Sequence, residues 1–178
     1  VLTMDENGTR YAKGVVTITG DRIEEVGSTV DLVEEPKRVI DAENCVVMPG
    51  LVDAHMHECL LRGFCEDLPL DRWLNELCFP KDHAFAPEDM YGAALLNQME
   101  MIRGGITTFI DIFRFPAVPA KVVERSGLRA IFSPQIIEYP EGAGETVASN
   151  EAFINEYQGK ADGRITAWFG PHAPYSVS

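Results

Sequence analysis

The chain has 178 residues, enough for one ordinary domain and short for two. It is 46% hydrophobic and 24% charged, as a globular protein is, and no run approaches the roughly 18 apolar residues of a membrane span. The net charge of −13 argues against nucleic acid, because phosphate binding needs clustered Lys and Arg; an acidic surface signals solubility instead.

The start, Val1 to Glu6, shows no basic region followed by an apolar core, so no secretory signal is visible, and the missing initiator Met suggests a trimmed start. Residues 1–48 are predicted to form short strands. Val15 to Thr19 is β-branched, Gly20-Asp21 is a turn signal, and Arg22 to Gly27 returns; Val39 to Asp41 and Cys45 to Met48 add two more. The cysteines, Cys45, Cys59, Cys65 and Cys78, form no Cys-x-x-Cys pair. They fit a reducing cytoplasm as buried, small apolar residues.

Pro49-Gly50 sets a chain reversal or a domain boundary. Leu51 to His57 is too short for a helix and is predicted to be a strand ending in His-x-His. Strand side chains alternate faces, so His55 and His57 point the same way and can close on one metal ion. In a helix the same spacing would splay them. The bland alternative is a pair of ordinary polar residues at a strand end.

Beyond His57, Leu70 to Cys78 predicts a short amphipathic helix in a long loop. Pro87, followed by Glu88 and Asp89, starts a longer helix that Gly104-Gly105 ends. Tyr91, Leu95, Met99 and Ile102 make one apolar face of it, expected to pack in the core. Ile106 to Ile112 is a strand, Pro116 to Arg125 a helix closed by Ser126-Gly127, and Arg129 to Ser133 a strand. Asn150 to Tyr157 is a helix capped by Ser149 or Asn150, and Arg164 to Gly170 a strand. This alternation implies α/β architecture, a parallel sheet with right-handed crossovers.

Several stretches together resemble one family. Pro49 to His57, Leu61-Arg62-Gly63, Glu66-Asp67-Leu68, Trp73-Leu74, Gly104 to Thr108 and Gly170 to Ser176 are similar to the amidohydrolase superfamily. The similarity is greatest to S-adenosylhomocysteine/methylthioadenosine deaminases and related chlorohydrolases. It implies that residues 1–48 are the N-terminal part of a β-sandwich and residues 49–178 the first half, strands 1 to 4, of a (β/α)8 TIM barrel. Such a barrel needs roughly 250 residues, so the chain looks like the front half of a longer protein. An open half-barrel leaves sheet edges uncovered, which predicts poor stability alone or self-association, and a homo-oligomer is expected.

The resemblance also implies one divalent metal, zinc or else iron, with His55 and His57 as two of its ligands. A His, an Asp and a proton-moving Glu in a His-x-x-Glu arrangement would lie beyond Ser178. Metal-bound hydroxide would attack the amino-bearing carbon of a small heterocycle of purine, pterin, pyrimidine or triazine type. His172 corresponds to a pocket histidine that contacts or polarises the substrate and is not counted as a ligand. Asp82 falls where adenosine-type deaminases carry a Glu on the ribose hydroxyls, and Pro134 where they carry an Arg. Asp111 either lines the substrate site or hydrogen-bonds backbone.

Neighbouring residues carry ordinary expectations. Asp53 supports packing, Glu58 points toward pocket or solvent, Trp73 anchors a loop, His83 is a solvated loop residue, and Arg62 pairs with Glu66 or Asp67. A cytoplasmic enzyme with no nucleic-acid or membrane partner is the resulting expectation, residues 1–178 alone being inactive. Two rivals are a cyclic-amide hydrolase and a non-catalytic, self-associating module. The first needs a carboxylated Lys at the end of strand four, where this chain has Gly170-Pro171-His172.

Overall fold

A computed structural model describes residues 1–32, 34–58, 67–138, 142 and 144–178. These form two compact units, Val1–Gly50 and Leu51–Ser178. In the first, β1 (Val15–Thr19) and β2 (Arg22–Gly27) pair antiparallel around Gly20, whose φ of +62° suits a glycine turn. The strands expected at 39–41 and 45–48 do not form. Those residues build no ladder, and the Leu2 amide bonds the Val47 carbonyl at 2.8 Å without extending into one. β-Branched residues favour strands only where a neighbour packs on them, and Val39, Ile40 and Val46 are exposed. Cys45, expected to be buried, is exposed for the same reason.

The second unit is built on four parallel strands in the order β3 (Leu51–Met56), β4 (Ile106–Asp111), β5 (Arg129–Phe132), β7 (Ile165–Ala167). Two short parallel strands, β6 (Gln135–Ile136) and β8 (Gly170–Pro171), follow β5 and β7. Before the crossover helices comes helical chain: α1 (Leu70–Arg72), a π-helical stretch (Trp73–Cys78) and α2 (Phe79–Ala84). This is longer than the predicted helix, because Pro80 sits near the start of α2, where a missing N–H is tolerated. The crossovers are α3 (Pro87–Gly104), α4 (Ala117–Ser126) and α5 (Val147–Tyr157). Spatial order follows sequence order without reversal, which is barrel-like rather than doubly wound.

Between sheet and helices lies an aromatic ladder. Phe132 is fully buried, with Phe109 at 6.0 Å and Phe153 at 5.8 Å, both edge-on, and Tyr157 stacks on Phe153 at 4.6 Å. Met101, Val123, Leu128 and Ile165 complete this core.

Two helix readings need correction. On α3 the buried residues are Met90, Ala94, Asn97, Gln98 and Met101, whereas Tyr91, Met99 and Ile102 are exposed. Hydrophobicity points to the wrong face because Gln98 is buried with hydrogen bonds. Its amide donates to the Pro119 carbonyl and to Glu58 Oε2, both at 3.3 Å, and accepts from Ser126 Oγ at 2.6 Å. The helix α5 begins three residues earlier than expected. Thr146 is its cap, in reciprocal bonds with Ser149 of 2.9 and 3.0 Å. Among the described residues no helix is long and apolar enough to cross a membrane.

Candidate active site

The C-terminal ends of the parallel strands bring the predicted side chains together. His55 and His57 are exposed there, ring centroids 5.0 Å apart and nearly perpendicular. Asp53 Oδ1 accepts the His55 amide at 3.2 Å. His57 Nδ1 lies 2.5 Å from the Ile112 carbonyl oxygen. A carbonyl can only accept, so Nδ1 carries the proton and Nε2 presents its lone pair. The Phe113 ring covers His57 edge-on at 5.7 Å. This partial burial lowers the His57 pKa, His55 and His172 lower it further, and the Ile112 carbonyl and Asp82 oppose them. Neutral imidazole is the form that binds metal. Those influences also place His55, Asp82 and His172 within electrostatic reach of His57.

His172 follows β8, its amide bonded to the Ile136 carbonyl at 3.2 Å. Its Nδ1 lies 2.8 Å from Ser176 Oγ, and that hydroxyl donates its single proton to the Ala173 carbonyl at 3.2 Å. With that proton on the Ala173 carbonyl, Ser176 accepts from His172 Nδ1–H, which leaves Nε2 to face a ligand. Gly170 allows this approach, since a β-carbon there would run into the carbonyl oxygens of Ser133 and Pro134. Gly170→Ala is expected to cost about 1–3 kcal/mol, as overpacking does, because the obstacle is backbone, the Ser133-Pro134 link that leads into β6, which is itself paired with β8. Urea unfolding checks this; stability equal to the parent would contradict it.

Asp82 sits on α2 with its side chain 18% exposed, 2.6 Å from Lys81 Nζ. That ammonium stands over the rings of Phe85 and Phe113 at 5.0 and 5.1 Å. Arg114 Nη1 donates to the Asp82 carbonyl at 3.0 Å. The acid is thus held beside Phe113, the same ring that covers His57.

Asp111 is buried, and its Oδ1 accepts the Glu58 amide at 3.2 Å; of its two readings, the backbone hydrogen bond is the one present. Glu58 faces neither pocket nor solvent but is fully buried. The residue after His57 on an extended chain turns to the opposite side, here toward Gln98. Burial pushes the Glu58 carboxyl up to about 9, with Asp111 adding to the effect, and burial pushes Asp111 up to about 7.

Pro134 is fully buried, Trp73 half-buried, and His83 exposed on a helix rather than a loop. The stretch Leu61-Arg62-Gly63, with Cys59, Cys65, Glu66 and the Arg62 pairing, lies outside the described residues. Sequence reasoning missed Ile112, Phe113 and Ser176. Ser176 was legible as a hydroxyl four residues after His172, whereas Ile112 acts through its carbonyl and leaves no side-chain signal.

Among the described residues no group of three or more His, Cys, Asp or Glu is arranged to hold a metal. His55 and His57 offer two imidazole donors, one with its tautomer fixed, which suits part of a zinc site.

Residues 46–178 match the family model described as the amidohydrolase family. The chain is 41% identical over 180 residues to a 5-methylthioadenosine/S-adenosylhomocysteine deaminase of Pelotomaculum thermopropionicum, covering 99% of this chain and 42% of the relative. It is 43% identical over 182 residues to a 5'-deoxyadenosine deaminase of Methanosarcina mazei, covering 100% and 42%. The chain thus spans less than half the length of these curated relatives. Its fold superposes on a zinc-bound adenosine deaminase from Xanthomonas campestris with a TM-score of 0.74 and 29% identity, over 93% of this chain and 39% of that one. A zinc complex of atrazine chlorohydrolase from Arthrobacter aurescens superposes with a TM-score of 0.82 at 18% identity, over 99% and 46%.

Proposed function

The chain belongs to the amidohydrolase family, and from that premise we propose that the protein carrying it deaminates an amino-substituted heterocycle with the help of a divalent metal, zinc before iron. In this reading β3, β4, β5 and β7 are the first four strands of a (β/α)8 barrel, and the N-terminal unit is part of a small β-sandwich. The observation that carries it is the histidine pair at the C-terminal strand end, the active face of such barrels, with Nε2 of His57 freed by Ile112. His55 and His57 would hold the metal. When bound, it supplies the Lewis-acid chemistry that makes water a nucleophile at neutral pH.

The remaining roles fall to this chain's own groups. His172 meets the substrate through Nε2, its Nδ1 proton being committed to Ser176. Phe113 shields one side of His57 from water. Asp82 accepts from substrate hydroxyls. The substrates to try first are 5'-modified adenosines, because the relatives at 41% and 43% identity are named for them; pterins, pyrimidines and triazines follow.

Ammonia release by the complete protein tests the proposal. At least one of these heterocycles should be deaminated, with loss of turnover on chelation and recovery with zinc; no release from any would sink the reading. Asp82→Ala should raise KM for nucleosides about 10–100-fold, the worth of a hydrogen bond to a charged group, and leave free bases unaffected. Equal losses for both classes would refute a role in holding hydroxyls.

A further inference from the structure

Three hydrogen bonds stitch the end of β3 to the end of β4. The Ile112 amide donates to the Met56 carbonyl at 3.0 Å, His57 Nδ1 donates to the Ile112 carbonyl, and the Glu58 amide donates to Asp111 Oδ1 at 3.2 Å. The first continues the β3–β4 pairing past Met56↔Asp111. The second sets the ring tautomer. The third is the one of the three whose acceptor is a side chain, and it holds the residue directly after His57.

This third bond has a mechanical consequence. The Ile112 carbonyl can fix the imidazole only while the His57 backbone stays in register with β4. Past the Ile112–Met56 bond the ladder has run out, and without Asp111 the buried Glu58 amide would lose the acceptor it has among the described residues. Asp111 belongs to β4 itself and is buried, so its carboxylate is a fixed anchor. Gln98 holds the Glu58 side chain from α3, so the residue after His57 is gripped at both backbone and side chain.

We propose that Asp111 is a positioning residue for His57: by accepting the Glu58 amide it locks the end of β3 so that Ile112 can aim His57 Nε2 at the metal. This rests on the reading of His57 as a ligand. Asp111 touches neither the metal nor the substrate; it acts through the backbone.

The test uses the complete protein, with zinc affinity measured by chelator competition and the visible spectrum of the cobalt-substituted form as a second readout. Asp111→Asn keeps an oxygen that can accept the Glu58 amide, so zinc affinity within about threefold of the parent is expected. Asp111→Ala removes the acceptor. Affinity should fall about 10–100-fold, the usual loss when a partner behind a metal ligand is removed, and the cobalt spectrum should shift. If the alanine variant does not fold, Asp111→Leu, which fills the space and accepts nothing, takes its place with the same expectation. A tenfold loss in Asp111→Asn overturns the proposal whatever the other variants do, as does unchanged affinity and spectrum in Asp111→Ala or Asp111→Leu. His57→Ala separates this from the parent reading. If that variant holds zinc as tightly as the parent, the ligand assignment has failed; if it loses zinc while Asp111→Ala does not, only the positioning role has.

Discussion

Substituting alanine for His57 in the complete protein is expected to remove bound zinc and to lower ammonia release about a thousandfold or more. A metal contributes several kcal/mol to stabilising developing charge, and each 1.36 kcal/mol is tenfold in rate. His55→Ala should do the same, since the two rings stand 5.0 Å apart at one strand end. His172→Ala should differ: turnover falls, and zinc stays. Elemental analysis after dialysis, alongside the ammonia assay, distinguishes these outcomes. Zinc retained at full stoichiometry by both His55→Ala and His57→Ala would contradict the assignment.

The second large effect is on stability. Phe132→Ala should destabilise the Leu51–Ser178 unit by about 3–5 kcal/mol, because it opens a cavity between Phe109 and Phe153 and removes two edge-on ring contacts. Phe132 has no exposed surface, so nothing there can relax into solvent. Denaturant unfolding measures the loss. A cost below about 1 kcal/mol would mean that the ladder is not the core of the unit. Phe132 is the last residue of β5, so the same change is expected to loosen the sheet beside Asp111, with which it is in register.

Local signals in the sequence were sufficient where the physics is local. The strand of residues 51–56, the stop at Gly105 and the alternation of strand and helix all follow from period, turn chemistry and capping. The histidine pair was legible for the same reason, as two side chains on one strand face. The readings fail where a partner distant in sequence decides. Residues 39–48 have strand-forming composition, but among the described residues they form no ladder. The buried face of α3 is set by Glu58, Pro119 and Ser126, which satisfy Gln98 from 21 to 40 positions away. Glu58, expected to point toward pocket or solvent, is buried instead, bonded to Gln98 and Asp111.

The site follows the same division. His55, His57 and His172 carry their chemistry in their side chains, and the motifs exposed them. What orients them is mostly backbone and small polar groups: the Ile112 carbonyl behind His57, Ser176 behind His172, and the close approach of Gly170 to β6. Composition cannot reveal a carbonyl that serves as a hydrogen-bond acceptor, because every residue has one.

The most direct test of the central claim is anomalous diffraction at the zinc edge from crystals of the complete protein grown with zinc. The expected result is one strong peak about 2.0–2.1 Å from a nitrogen of His55 and from Nε2 of His57, with His57 Nδ1 still bonded to Ile112. A peak away from both rings, or one bound by His57 Nδ1 with Nε2 turned into the protein, would contradict the account.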